Sequence, residues 1–245
     1  MIVREVYVKN ILSKSKVLDY TVNPYFGCEH DCSYCYARFM IRFSKHKEKW
    51  GEFVDVKINA ATLLQHELGK KKVGRIWISG ICDPYQPLER KYEITKRCLE
   101  VLSKKDWPVT IQTKSPLVLR DIELLKSLSN LEVILTITTA DDKIRQIFES
   151  KAPPIEERLQ ALEKLHSAGI RTLVMIAPML PNVEGLVQEI SGKVDGVLMD
   201  KMNYHYADGV YKKYGLDYAK SEEFFQQKRK ELAACFRKAG IRQLF

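Results

Sequence analysis

Three cysteines, two acids and one histidine fall within the eight residues CEHDCSYC, positions 28–35 of a 245-residue chain. The spacing C-x3-C-x2-C allows Cys28, Cys32 and Cys35 to converge on a single inorganic centre, and thiolates favour zinc or iron–sulfur clusters. Ligand type alone leaves the metal open. A structural zinc would be closed by a fourth ligand, for which His30 and His46 are near in sequence. Against that reading, no second C-x2-C knuckle follows, and Cys82, Cys98 and Cys235 lie far off in a predicted strand end and two helices. A centre held by only three thiolates keeps one coordination position open, which catalysis needs and a structural site avoids. Reactive chemistry is therefore the expectation.

Such a loop must be held by regular elements. Short runs rich in β-branched residues alternate with helix-period stretches, the pattern of βα units around a parallel sheet. Six pairs are predicted. Their strands are VLDYTVN (17–23), RIWISGI (75–81), PVTIQTK (108–114), LEVILTITT (131–139), IRTLVMIAP (170–178) and DGVLMDK (195–201). Predicted helices fall between them, in YARFMIRF and AATLLQHELGK after the cysteines and in SEEFFQQKRKELAACFRKAG at the end. Six units cannot close an eight-stranded barrel, so the expected fold is α/β, a partial (β/α)6 barrel of parallel strands. In such folds the C-terminal strand ends carry the site. The cysteine loop, SGICDP, QTKSP, ITTAD, APMLPN and DKMNYHY all belong to that edge.

Hydrophobic residues at 45% and charged residues at 29% describe an ordinary folded chain. One domain over 1–245 is expected, with a core at about 17–201, an irregular segment at 202–219 and a helix within 220–245. No signal-peptide core and no run of roughly 18 or more apolar residues occurs, so no membrane is expected and the cytoplasm is the expected location. Six cysteines in a chain this long, three of them scattered as Cys82, Cys98 and Cys235, do not make a disulfide framework. Forty Lys plus Arg against 31 Asp plus Glu give +9, which favours polyanions, although solvated helix surface accounts for many of the basic clusters.

CEHDCSYC, with Tyr34 just before its last cysteine and a predicted strand ahead of it, resembles the signature of the radical S-adenosylmethionine enzymes. The wider stretch NPYFGCEHDCSYCYAR, with ISGICDPYQPLE, QTKSPLVLRDIELL, IFESKAPPIEERLQAL and IAPMLPN, is similar to the spore photoproduct lyase branch, including the small proteins called DNA repair photolyase-like. The resemblance runs from about residue 20 to 182 and weakens beyond. It implies a 4Fe-4S cluster on Cys28, Cys32 and Cys35 whose open iron chelates the methionine part of S-adenosylmethionine. One electron, from a ferredoxin- or flavodoxin-like donor, would then cleave the sulfonium bond and yield a 5'-deoxyadenosyl radical.

The same resemblance implies roles for single positions. Lys114 matches a lysine that engages the cofactor carboxylate, and Thr136 falls where a small hydroxyl residue faces the same ligand. Ser79 and Gly80 occupy the segment that receives the methionine amino group. The superfamily's acidic residue is not at its usual place, which leaves Asp83 either to substitute for it or to cap the turn at Pro84. Tyr34 would meet the adenine through its backbone, and Met175, Ile176 and Ala177 would supply an apolar wall. A surface lysine, a strand-filling threonine and plain core packing compete with these assignments. Glu149 and Arg158 recur in the branch, and a loop-fixing ion pair is their simplest account. Cys82 sits on the loop after the second strand, where the lyases carry a hydrogen-donating cysteine. By alignment, however, that cysteine corresponds to Gly80, so a buried inert thiol competes with a catalytic one.

In 202–219, Tyr204, His205, Tyr206, Tyr211, Tyr214 and Tyr218 interleave with Lys212 and Lys213, just after Lys201. Stacking rings mixed with cations suit an exposed nucleic acid strand, and a lid over a peptide or small metabolite has the same composition.

Overall fold

VTIQT, LEVILT and RTLVMI are apolar or β-branched at most positions, so the strands they form require cover on both faces. A computed structural model describes residues 1–244. In chain order its strands are β1 (Ile2–Val6), β2 (Leu12–Lys14), β3 (Tyr20–Val22), β4 (Tyr25–Phe26), β5 (Phe53–Lys57), β6 (Ile76–Ile78), β7 (Val109–Thr113), β8 (Leu131–Thr136), β9 (Arg171–Ile176), β10 (Gly196–Met199) and β11 (Gln243–Leu244). The helices are α1 (Ala60–Leu68), α2 (Glu89–Tyr92), α3 (Ile94–Leu102), α4 (Ile122–Lys126), α5 (Asp142–Phe148), α6 (Ile155–Ser167), α7 (Leu186–Ile190), α8 (Asp208–Lys213) and α9 (Glu222–Lys238).

Strands β3, β6, β7, β8, β9 and β10 are neighbours in that order and all parallel, the arrangement predicted for a partial (β/α)6 barrel. β11 extends one edge in parallel, and β2 closes the other antiparallel to β3. One large core joins these strands to the covering helices, from Leu64 of α1 and Leu99 of α3 to Leu162 of α6 and Phe236 of α9. Among the described residues no helix is long and apolar enough to cross a membrane.

A second, three-stranded sheet, ordered β1-β5-β4, was not expected. Its first strand leaves Ile2–Glu5 exposed and its last is two residues long, so neither carries an alternation that burial would imprint on the sequence. Its role is to close the cysteine loop. β4 enters the loop, β5 leaves it, and their antiparallel pairing, Tyr25 opposite Val56 and Phe26 opposite Asp55, brings the two ends together. Gly27, at φ +95°, makes the exit from β4, where a Cβ would lie 2.3 Å from the Phe53 carbonyl oxygen.

Two further expectations change. YARFMIRF is a 3-10 run over Tyr36–Phe43 rather than an α-helix. The segment 202–219 is not irregular: 3-10 turns at His205–Ala207 and Asp217–Lys220 flank α8. Tyr211 is buried against Phe148, their ring centroids 4.6 Å apart, and this anchor orders the segment.

Candidate active site

The cysteine loop crosses the C-terminal ends of β6, β7 and β8 and is fastened to each. Ser33 N–H donates to the Phe148 carbonyl at 2.8 Å, and Glu29 N–H to Gln86 Oε1 at 2.9 Å. The Glu29 carboxylate in turn accepts Leu88 N–H at 2.6 Å. Tyr34 donates its hydroxyl to Glu149, which also accepts from Thr138 Oγ1 at 2.8 Å and pairs with Arg158 at 2.5 Å. Both members of that ion pair are fully buried. Arg158 spends its other N–H groups on the carbonyls of Thr136 and Pro153. Burial by itself would raise the Glu149 carboxyl, but Arg158, Lys114 and the Tyr34 hydroxyl outweigh it and hold the group at about 2.

Asp83 plays the matching part at β6 and β7. Its carboxylate accepts Tyr85 N–H at 2.9 Å, Thr113 Oγ1–H at 2.6 Å and Lys114 N–H at 2.8 Å, with His30 Nδ1 at 3.3 Å. Burial opposes its ionisation, and His30 with these donors reverses that, leaving it at about 2. Three of these are hydrogen bonds, shared between both carboxylate oxygens. Asp83 thus ties the strand ends together, as the turn-fixing alternative has it, while it also lines the pocket beside the cysteines.

Cys28, Cys32 and Cys35, all free thiols, line one pocket of about 110 Å³ together with Ser79, Gly80 and Lys114. Burial raises all three, Cys32 to about 12, so without a cationic centre they stay protonated. Lys114 and Arg38 oppose this at Cys35, and Lys114 opposes it at Cys32. Among the described residues no three His, Cys, Asp or Glu side chains are disposed to hold one metal ion. Both imidazoles near the loop are engaged, His30 with Asp83 and His46 between Glu48 and Asp55 at 2.9 Å each. A mononuclear Cys3His zinc is disfavoured on both counts. A polynuclear cluster, in which each thiolate binds a different iron, suits three thiols that share a pocket without meeting at a point.

The pocket opens into a cleft of about 1050 Å³ that shares Cys32, Cys35, Gly80, Lys114 and Thr136 with it. The Lys114 ammonium lies 5.6 Å from the Tyr34 ring centroid and has no carboxylate within ion-pair distance among the described residues, which leaves it a cation facing the cleft. Thr136 accepts Gln112 Nε2–H at 3.2 Å. Ser79, at φ +67°, turns the chain after β6, so that Gly80 and Ile81 donate their N–H groups to Asn23 Oδ1 while the Gly80 carbonyl accepts the Tyr36 hydroxyl.

Two assignments fare differently. Met175 and Ala177 line the cleft, but Ile176 is fully buried in the core on the other face of β9. The two-residue alternation of a strand forbids all three from sharing a wall, so Ile176 is withdrawn from the site. Cys82 lines the small pocket beside the cluster cysteines and not the larger cleft. Its Sγ is 3.1 Å from Ser79 Oγ and donates to the Tyr25 carbonyl at 3.4 Å. His166 contacts Thr172 at the start of β9, at the opposite edge of the sheet.

Sequence reasoning passed over Gln112, Trp77, Phe39, Lys14 at the end of β2 and Lys16 just after it, which all line the cleft. A polar Gln112 within VTIQT, two residues before Lys114 and so on its face, was a legible signal. Lys14 and Lys16 carried none, since β2 itself was unforeseen.

Comparison with known proteins agrees with this layout. Relatives include uncharacterized proteins of Methanocaldococcus jannaschii, 37% identical over 67% of this chain and 61% of that one, and of Mycobacterium tuberculosis, 31% identical over 67% of this chain and 50% of that one. The chain thus spans only about half to three-fifths of the length of these relatives. Spore photoproduct lyase complexed with dinucleoside spore photoproduct superposes with a TM-score of 0.71 at 15% identity, over 97% of this chain and 78% of the lyase. SuiB of Streptococcus suis bound to S-adenosylmethionine gives 0.56 at 16% identity, over 81% and 47%. At such identities the likeness is one of fold. The model of the Radical SAM superfamily matches residues 22–187, and with three cysteines gathered at the C-terminal edge of a partial barrel, the chain belongs to that superfamily.

Proposed function

We propose that the protein holds a 4Fe-4S cluster on Cys28, Cys32 and Cys35 and cleaves S-adenosylmethionine reductively to modify a nucleic acid. When bound, the cluster supplies the electron that breaks the sulfonium carbon–sulfur bond, giving methionine and a 5'-deoxyadenosyl radical that takes hydrogen from the substrate. The chain's share is placement. Lys114 offers a cation to the methionine carboxylate, a charge-assisted contact, from a site where Tyr34 and Glu149 fix its surroundings. The chain turn at Ser79 and Gly80 presents backbone to the amino group, and Met175 and Ala177 give the adenosyl group an apolar face.

The observation that carries the nucleic acid reading is the rim of the cleft. Phe39 stacks on Tyr204 at 6.2 Å, and Tyr204 on Tyr206 at 5.5 Å with their planes 10° apart. Arg42 lies 5.7 Å from the Phe39 ring centroid, and exposed Lys14 and Lys16 line the cleft. Rings for bases beside cations for phosphates are the means of gripping a single strand. The fold likeness to a lyase complexed with a dinucleoside photoproduct points the same way. A peptide is the second reading, prompted by the likeness to SuiB bound to its precursor peptide, TM-score 0.54.

Anaerobic purification should give a brown protein with about four irons per chain, and reductant plus S-adenosylmethionine should release 5'-deoxyadenosine. A colourless zinc protein with no deoxyadenosine would refute the reading. Oligonucleotide affinity should fall steeply with salt, whereas salt-insensitive binding of peptides alone would favour the second reading. A hydrogen-returning role for Cys82 requires its thiol to leave the Tyr25 carbonyl for the cleft. Unchanged product and label distribution in Cys82→Ala would remove it from the mechanism.

A further inference from the structure

Directly after the cysteines, residues 36–49 carry Arg38, Arg42, Lys45, Lys47 and Lys49 against one acid, Glu48. Glu48 is taken by Arg4 at 3.1 Å and His46 at 2.9 Å, and Arg38 is engaged by Asp31 at 3.3 Å. Arg42, Lys45, Lys47 and Lys49 are exposed, with no carboxylate within ion-pair distance among the described residues. Burial alternates along the last stretch: His46 and Trp50 are buried, whereas Lys45, Lys47 and Lys49 face water. The buried rings meet Phe53, His46 stacked at 3.7 Å and Trp50 edge-on at 6.0 Å. Phe53 and Trp50 share an apolar group with Cys28, against which Cys35, Met40 and Ile41 also pack. The lysine row is thus the outer side of a layer whose inner side holds two of the three cluster thiols. None of these lysines lines the cleft. Phe43, 72% exposed and with Arg42 5.9 Å from its ring centroid, precedes the row. Like charges with no acid to answer them repel one another, and an anionic partner relieves that repulsion.

We infer that Lys45, Lys47 and Lys49 form the docking surface for an acidic flavoprotein that delivers the electron to the cluster. The inference rests on the cluster reading above. S-adenosylmethionine and substrate fill the cleft, so a reductant must reach the thiols from another side, and this layer is one. A nucleic acid strand bound through Lys14, Lys16 and Tyr204 follows the cleft and leaves the row free. In the transfer the partner's reduced flavin loses one electron and the oxidised cluster gains it; no bond forms or breaks. Opposite charge steers the proteins together and selects the face that meets the thiols, and Phe43 gives the contact an apolar centre.

The probe is an acidic flavodoxin, titrated against the anaerobically reconstituted protein and against the cluster-free chain, with flavin fluorescence reporting binding. Affinity should fall as salt rises, and Lys45→Glu/Lys47→Glu/Lys49→Glu should weaken it about tenfold at low salt in both forms. Lys70→Glu/Lys71→Glu/Lys72→Glu makes the same change in net charge between α1 and β6, at the opposite edge of the sheet, and should leave affinity nearly unaltered. Stopped-flow reduction of the cluster by the flavodoxin should slow in the first variant, whereas reduction by photoexcited deazaflavin should not. Lys47→Glu alone carries the same test, with a smaller loss, should the triple variant not fold. Equal affinities in wild type and first variant, equal losses in the two triple variants, or no binding of flavodoxin by loaded protein each overturn the inference. So does a first variant that loses oligonucleotide affinity and keeps that for flavodoxin, which would give the row to nucleic acid. Wild-type protein that binds no iron and sulfide sinks the cluster reading and this inference together. Loaded protein without the loss sinks this inference alone.

Discussion

The back wall of the site and its mouth are built by different physics. At the back, the cysteine loop is stitched to the sheet by buried groups: the Glu149–Arg158 ion pair, and the Asp83 carboxylate beside His30. At the mouth, Tyr204, Tyr206 and Lys201 are exposed, and the ion pair of Lys201 with Glu222 is solvated. Buried ionic networks fix one geometry and fail sharply when a member is lost, whereas exposed rings and pairs contribute little to folding. The difference teaches where each task resides. A cluster and its ligand need sulfurs and a cation held in one place, and a recognition surface can vary by loop exchange on the same scaffold.

The largest effect should follow from breaking the back wall. Arg158→Ala leaves Glu149 buried and unpaired and should lower stability by about 3–5 kcal/mol, read as a fall in urea midpoint. A change below about 1 kcal/mol would show the pair to be dispensable. Acid should loosen the same wall in the cluster-free chain. Glu149, normally near 4.5, is held at about 2 in the fold, and Asp142, normally 3.8, is held at about 2 by Arg145. The folded pKa values are depressed, so the unfolded chain binds more protons between the two values. The stabilisation is whole above about pH 4.5 and is lost as pH falls toward 2. Denaturation midpoints compared at pH 5 and pH 3 test this, and equal midpoints would contradict it.

A finer cut separates the wall's stability from its chemistry. Tyr34→Phe removes the hydroxyl from Glu149 but keeps the ring beside Lys114, and should cost about 1.5–3 kcal/mol as a lost hydrogen bond to a charged group. Cluster loading at low temperature should survive it. At the mouth the balance inverts. Tyr204→Ala should change stability by no more than about 1 kcal/mol, yet weaken binding of a single-stranded oligonucleotide by about 1–3 kcal/mol through lost stacking. Smaller still, Lys14→Gln should reduce the slope of log affinity against log salt by about 0.7 for a single strand. A Tyr204→Ala variant that bound oligonucleotide normally while unfolding easily would reverse the distinction between wall and mouth.

Much of this was legible because it is periodic or clustered along the chain. Each of the six predicted strand runs between Tyr20 and Met199 became a parallel strand of one sheet, neighbours following chain order, since strands buried on both faces advertise themselves in composition. The spacing of Cys28, Cys32 and Cys35 is local, so its chemistry could be read without a fold. Harder to see was anything that depends on which face a side chain takes. Ile176 has the composition of its cleft-lining neighbours and lies on the opposite side of β9. The β1-β5-β4 sheet is hard to read in sequence, because both partners of β5 are silent: β1 is exposed and β4 is two residues long.

The sequence by itself determined the cysteine triad and the layered parallel sheet, because both arise from neighbours or from a repeating pattern over a few residues. Tertiary structure alone decided that Asp83 accepts from Tyr85, Thr113 and Lys114 beside His30, and that Glu149 reaches back 115 residues to Tyr34. Contacts between distant segments depend on where whole elements come to rest, and packing of the complete core fixes that position.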